Sequence, residues 1–203
     1  MFRKNYNLST LEGILPAGWK MLRRGVRNPL HPFHRPSLAT LEGAAPEVRT
    51  VILRGFSASL RHLICHCDAR TAKVHQIETN PHVSWLFYDH RSRIQLRFSG
   101  TASVHTEDSI ADTQWQSVSL TGRLNYCAET PPGSGVEKPT SGLPEFLRHK
   151  PTAVFKEAQA RRNFAAIVCV FDRMDWLHLK LSGNIRAEYL WQNGRMEARW
   201  IIP

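Results

Sequence analysis

Two groups of residues carry most of the chemistry this sequence can offer. One is Arg49-Thr-Val-Ile-Leu-Arg54, a mainly apolar, partly β-branched run with a guanidinium group at each end. The other is Arg70, Thr71 and Lys73, which brings two cations and a hydroxyl within four residues. Guanidinium and ammonium groups form charge-assisted hydrogen bonds to phosphate oxygens, and Arg offers them as a planar fork. Placed at the end of a strand, such a set predicts a clamp for a phosphorylated cofactor. His62, Cys65, His66, Cys67 and His75 raise the question of a metal. No CxxC pair accompanies them, so buried structural thiols are expected and no metal. No Ser-His-Asp or paired-carboxylate arrangement can be read from spacing, and His149 and His178 stand without a recognisable partner.

These residues need strands to position them. Apolar and β-branched runs predict strands at 38–41, 49–54, 61–67 and 82–88. The last is nearly continuous in apolar residues, so burial on both faces is expected. Residues 93–104 alternate Ile94, Leu96 and Phe98 with Arg93, Gln95 and Arg97, the pattern of a half-buried strand. Four more strands are predicted at 164–171, 174–181, 185–191 and 195–201, with Ser182-Gly183 and Asn193-Gly194 as hairpin turns. Helices are expected at 16–27, 107–117 and 152–163, and the Pro-, Gly- and Ser-rich stretch 119–142 reads as a long loop. Many short antiparallel strands with few helices imply a closed barrel.

The totals set limits. A chain of 203 residues suits one well-cored domain. The division expected is a basic N-terminal helix and connector at 1–35 packing on a barrel at 36–203. Residues 1–35 hold seven Lys/Arg against Glu12 alone, so this segment carries +6 of the net +10. A basic tail can meet nucleic acid or an acidic partner, yet no helix-turn-helix, zinc-finger or RRM pattern accompanies it, and a solvated helix face is the expectation. No run of 18 apolar residues is present, so no membrane span is predicted. The N-terminus lacks the apolar core of a secretory signal, and four cysteines without a regular framework fit reduced thiols in a cytoplasmic protein.

At this point the chain resembles the pyridoxamine 5′-phosphate oxidase-like FMN-binding proteins, and within them a short bacterial branch. The residues carrying the resemblance are Leu38-Ala-Thr-Leu41, Pro46 to Arg54, Asp68-Ala-Arg-Thr-Ala-Lys73, His75 to Pro81, Arg93 to Gly100, and the ending from Asn163 to Pro203. It implies a mainly β fold, the FMN-binding split β-barrel, working as a homodimer with FMN at the subunit interface. Residues Arg49, Thr50, Val51, Ile52, Leu53 and Arg54 would line the flavin, with Arg49 on its phosphate. His66 and Cys67 would add contacts, Thr71 and Lys73 would hold the phosphate with help from Arg70, and Gln95 would bond the ring. Arg195-Met-Glu-Ala-Arg199 matches an Arg-Leu-His-Asp-Arg motif, so Arg199 would contact FMN, while Arg195, Glu197 and Arg54 would face the substrate. Tyr189 or Trp191 would wall the flavin. Two departures stand out: Glu197 replaces a histidine, and Gln114 and Val118 replace the Tyr and Arg that hold a substrate phosphate. FMN binding and oxidation–reduction of an unidentified small molecule are therefore implied, with hydride moving to or from flavin N5. Oxidation of pyridoxamine phosphate itself is not. An FMN carrier or sensor without turnover, and a haem-binding split barrel, are the alternatives.

Overall fold

The computed structural model describes residues 6–144 and 157–203. Strict alternation makes its central strand: β6, Ile94–His105, buries Ile94, Leu96, Phe98 and Ala102 and turns Arg97, Thr101 and Ser103 outward. On one side β6 pairs with β5, His82–Asp89, and on the other with β7, Phe164–His178, both antiparallel. The remaining strands are β1, Ser37–Glu42; β2, Ala45–Thr50; β3, Gly55–Ser57; β4, His62–Asp68; β8, Ile185–Gln192; and β9, Arg195–Ile201. The order is β2-β1-β5-β6-β7-β4-β3, and β8 and β9 branch from the second half of β7. The fold is mainly antiparallel β, as the strand pattern predicts.

Helix α1, Leu11–Arg27, closes the open side of the sheet. Thr10 caps it, its side chain accepting from the Gly13 N–H, and the helix starts earlier than 16–27, with Pro16 inside its first turns. Ile14, Leu22 and Phe33 are fully buried, and Trp19 packs against Phe56, Phe98, Phe171 and Trp191. Among the described residues, α1 and the connector through Phe33 are therefore packed into the core.

Several expectations are corrected. The predicted 49–54 strand is divided: β2 ends at Thr50, and 51–54 continues extended against the Pro-rich connector, with the Val51 N–H donating to Pro36 O and the Leu53 N–H to His34 O. Pro36 has no N–H to return the bond, so the ladder stops. β5 is buried on one face only: Val83, Trp85 and Phe87 point inward, while Leu86 and Tyr88 are exposed. The strands expected at 164–171 and 174–181 are one long strand, bent where its pairing slips at Ser99/Gly100. Gly100 is obligatory there, because a Cβ would stand 2.1 Å from Val170 O. Helix α2, Ala72–Thr79, was not anticipated. Helix α3 covers Ser109–Gln116, and the start of the expected loop 119–142 forms helix α4, Leu120–Arg123, and a 3-10 turn at Leu124–Tyr126, while 127–142 has no helix or strand. Of the predicted helix 152–163, the described part is α5, Glu157–Arg162; His149 lies outside the described residues. The Asn193-Gly194 hairpin has positive φ at both residues, 52° and 73°, as a tight two-residue turn demands.

Candidate functional site

The sheet is joined into a barrel through residues 51–54, and the joint is incomplete. On the connector side Val51 and Leu53 donate to Pro36 and His34; on the β4 side the Arg54 N–H donates to Ile64 O. Beyond that bond the strands part. Among the described residues no backbone hydrogen bond links 51–53 with 65–67. The result is a seam with Val51, Ile52 and Leu53 on one lip and His66 and Cys67 on the other. Successive amides of an extended chain alternate, so the Ile52 N–H points into the seam. An edge with free backbone groups is a ready set of donors and acceptors for a planar heterocycle.

Cations stand at both ends. At the α2 end are Arg49, Thr71 and Lys73. Arg49 lies on the inward face of β2 and donates to Thr40 Oγ1 and, at 3.1 Å, to Gln76 Oε1; Gln76 Nε2 donates to Glu42. Burial lowers the guanidinium's affinity for its proton. Lys73 sits one helical turn before Gln76 and has neither hydrogen bond nor ion pair among the described residues. Arg49 and Lys73 converge electrostatically: burial drives the Cys65 thiol far above its ordinary value, and both cations oppose that rise. Thr71, the residue that starts α2, donates to Asp68 O and touches Cys67, whose thiol is also raised by burial.

At the other end Arg54 is exposed, within electrostatic reach of His66 and of buried Tyr126. His66 packs edge-on against Phe164, and its Nε2 meets Gln114 Oε1 at 3.0 Å. Burial lowers its pKa to about 4, so the ring is neutral at neutral pH. Gln114 thus reaches β4 from the middle of α3. Spacing alone could not have joined residues 48 positions apart.

Other anticipated residues lie elsewhere. Arg70 is committed to structure: it grips Asp68 through two nitrogens at 2.7 and 2.9 Å and donates to Ala128 O and Glu129 O. Gln95 lies on the outer face of β6. Arg195, Glu197 and Arg199 share one face of β9, where Arg199 donates to Glu188 Oε2 at 2.6 and 2.9 Å. Tyr189 is fully buried and donates to Leu11 O, and Trp191 packs on Trp19. One feature escaped the sequence altogether. A cross-strand row, Arg97–Asp175–Glu188–Arg199, crosses four strands, with Arg186 also on Asp175 and Arg173 also on Glu188. Both carboxylates are buried. Burial alone would raise their pKa values, but the guanidinium groups outweigh it and hold both below the ordinary range.

Residues 16–106 match the family model described as pyridoxamine 5′-phosphate oxidase, FMN-binding domain. Over that stretch the chain is similar to the pyridoxamine 5′-phosphate oxidases. No curated protein matches it. Among solved structures it is similar to a pyridoxamine 5′-phosphate oxidase-related, FMN-binding protein from Nostoc punctiforme, with 24% identity over 93% of this chain and 96% of that one, at a TM-score of 0.73. It is also similar to PhzG from Burkholderia lata, solved with tetrahydrophenazine-1-carboxylic acid, with 16% identity over 100% and 98% of the two chains and a TM-score of 0.73. At such identities these structures show a common fold. The oxidase-family match includes both lips of the seam, α2 and Gln95, and stops well before Arg195. Among the described residues no three His, Cys, Asp or Glu side chains gather as metal ligands, and no helix is long and apolar enough to cross a membrane.

Proposed function

We propose that the protein binds FMN along the seam between residues 51–54 and β4 and uses it in oxidation–reduction of a small molecule. The observation that carries this reading is the convergence of Arg49, Thr71 and Lys73, which has no partner among the described residues, at one end of an edge whose backbone groups are likewise unpaired among them. The residues fit the group: a phosphate finds one free ammonium, one guanidinium and a hydroxyl, and the ring finds the Ile52 amide between Val51 and Leu53. Arg70 would act indirectly, by fixing the turn before α2 through Asp68. When bound, FMN supplies two-electron chemistry that no side chain here can. The chain's own part is to hold the phosphate, present backbone groups to the ring, and keep neutral His66 and Gln114 beside exposed Arg54, where a substrate would lie. With Gln114 and Val118 in place of a Tyr and an Arg, Arg54 is the cation left for it, so a phosphorylated substrate is disfavoured.

A homodimer is part of the reading. Gln95 and Arg199 do not join the seam within one chain, and both occupy the outer sheet face. That face carries exposed Val48, Leu86 and Tyr88 beside a hollow of about 330 Å³ lined by Ser37, Ser84, Ser99 and Arg97. A second copy seated there would cover the apolar residues and bring Gln95 and Arg199 to the partner's seam. The test is the absorption spectrum of the purified protein after adding FMN and desalting, with molar mass read by light scattering. About one flavin per chain in a particle of two chains is expected. A protein that retains no flavin removes the basis of the proposal.

A further inference from the structure

The end of β6 and the start of α3 assemble three side chains that the flavin reading does not use. Ser103 Oγ lies 2.8 Å from His105 Nε2, and His105 Nδ1 lies 2.6 Å from Asp108 Oδ2. With the Nδ1 proton donated to the carboxylate, Nε2 is left to accept from the hydroxyl. That is the order of a nucleophile, a base and an orienting carboxylate. The local fold explains the geometry. Strand alternation puts Ser103 and His105 on one face of β6, and the turn into α3 carries Asp108 back over the ring. Asp108 is itself fixed, because its other oxygen accepts from the Ala111 N–H at 2.9 Å and caps α3.

Exposure is distributed as acyl transfer needs. The His105 side chain is only 16% exposed, whereas Ser103 is open to solvent. Ser103 sits across from Val168 on β7, and that row continues to Ile64 on β4, with Val170 and His62 in the next row. The floor beside the hydroxyl is therefore short and aliphatic. His62 lies within electrostatic reach of His105.

We propose that Ser103 is a nucleophile, deprotonated by His105 and oriented through Asp108, that accepts the short acyl group of an activated ester. Ser103 Oγ bonds to the carbonyl carbon as the ester C–O bond breaks. Its proton passes through His105 Nε2 to the departing alcohol oxygen. Water repeats the sequence and releases a carboxylic acid, and nothing is oxidised or reduced. None of the three residues is a flavin-site candidate, so the outcome is independent of FMN binding.

The experiment uses the full chain with an alkyl fluorophosphonate, followed by intact mass and peptide mapping, and with p-nitrophenyl acetate as substrate. One phosphonyl adduct per chain, mapped to Ser103, is expected, with none on Ser103→Ala. Asp108→Asn keeps the helix cap, because Asn caps as well as Asp, yet it should slow labelling at least about tenfold, since the base loses its orienting charge. Melting curves of both variants, expected to match the parent, show that the fold survives. Absence of the adduct, an adduct on another residue, or labelling of Asp108→Asn at the parental rate would overturn the proposal and leave the trio as a helix cap.

Discussion

Substituting Lys73 and Arg49 separately distinguishes a ligand-binding cation from a structural one. Lys73 has no protein partner among the described residues, so Lys73→Ala removes nothing the fold uses. A charge-assisted bond to phosphate contributes about 1.5–3 kcal/mol, which corresponds to about a 10- to 150-fold loss of FMN affinity. Thermal stability without flavin should stay within about 1 °C of the parent. Arg49→Ala differs, because Arg49 also serves buried Thr40 and Gln76. Those two remain bonded to each other and Gln76 to Glu42, so the fold should lose about 1–3 kcal/mol and several degrees of melting temperature, on top of a similar loss of affinity. The assay is flavin fluorescence titration of each apo-protein, with calorimetry in parallel. If Lys73→Ala binds FMN within about threefold of the parent, the phosphate lies elsewhere and the seam loses its anchor. If Arg49→Ala melts with the parent, its network is not as argued.

Three further outcomes follow from the packing. Gly100→Ala must displace the Val170 carbonyl, which would lie 2.1 Å from the new Cβ; a cost of about 3 kcal/mol should lower the melting temperature by about 6–12 °C. His66 is buried neutral with a pKa of about 4, below the unfolded value of about 6.5. The unfolded chain therefore binds the extra proton, and stability should fall as pH drops from about 6.5 to 4. In urea titrations His66→Gln should show a shallower dependence in that window, and an unchanged slope would contradict the assignment. Asp175 acts in the same direction at lower pH: its pKa is also depressed in the fold, so its contribution is present above the ordinary carboxylate range and lost as pH falls through it. Asp175→Asn should flatten the acid limb below about pH 4 while weakening the fold at pH 7, both read by denaturant midpoints.

Elements whose signal is local were legible in the sequence. The alternation of β6 and the Asn193-Gly194 turn identify their strands directly, and β9 runs over the predicted 195–201. What depends on a distant partner was not. The apolar run of β5 implied two buried faces, because periodicity cannot say whether a second layer exists in the same chain. Helix α2 has only two turns, held by burial of Val74 and Ile77 and by Gln76 bonding to β1 and β2, none of which propensity records. For the candidate site the sequence named the charged residues but not their commitments. Arg70 looks like a free cation until Asp68 is seen beneath it, and Arg199 until Glu188 is. The Arg97–Asp175–Glu188–Arg199 row exists only through the register of four strands, and register is set by turns and bulges far from the charges. Ser103, His105 and Asp108 are close in sequence, yet their spacing matches no motif and only the β6–α3 turn makes them meet.

The contacts of α1 bear on how the chain can be made. Tyr189 donates to Leu11 O across 178 positions, and Trp19 packs on Trp191. During synthesis the first helix emerges long before the hairpin that receives it. At roughly 5–20 residues per second its apolar stripe of Ile14, Trp19 and Leu22 waits on the order of ten seconds or more for its partner. Docking then unites α1 with β8, well over a hundred residues later in the sequence. Premature termination before β8 would release a nascent chain with that stripe uncovered, a natural substrate for chaperones and for quality-control proteolysis.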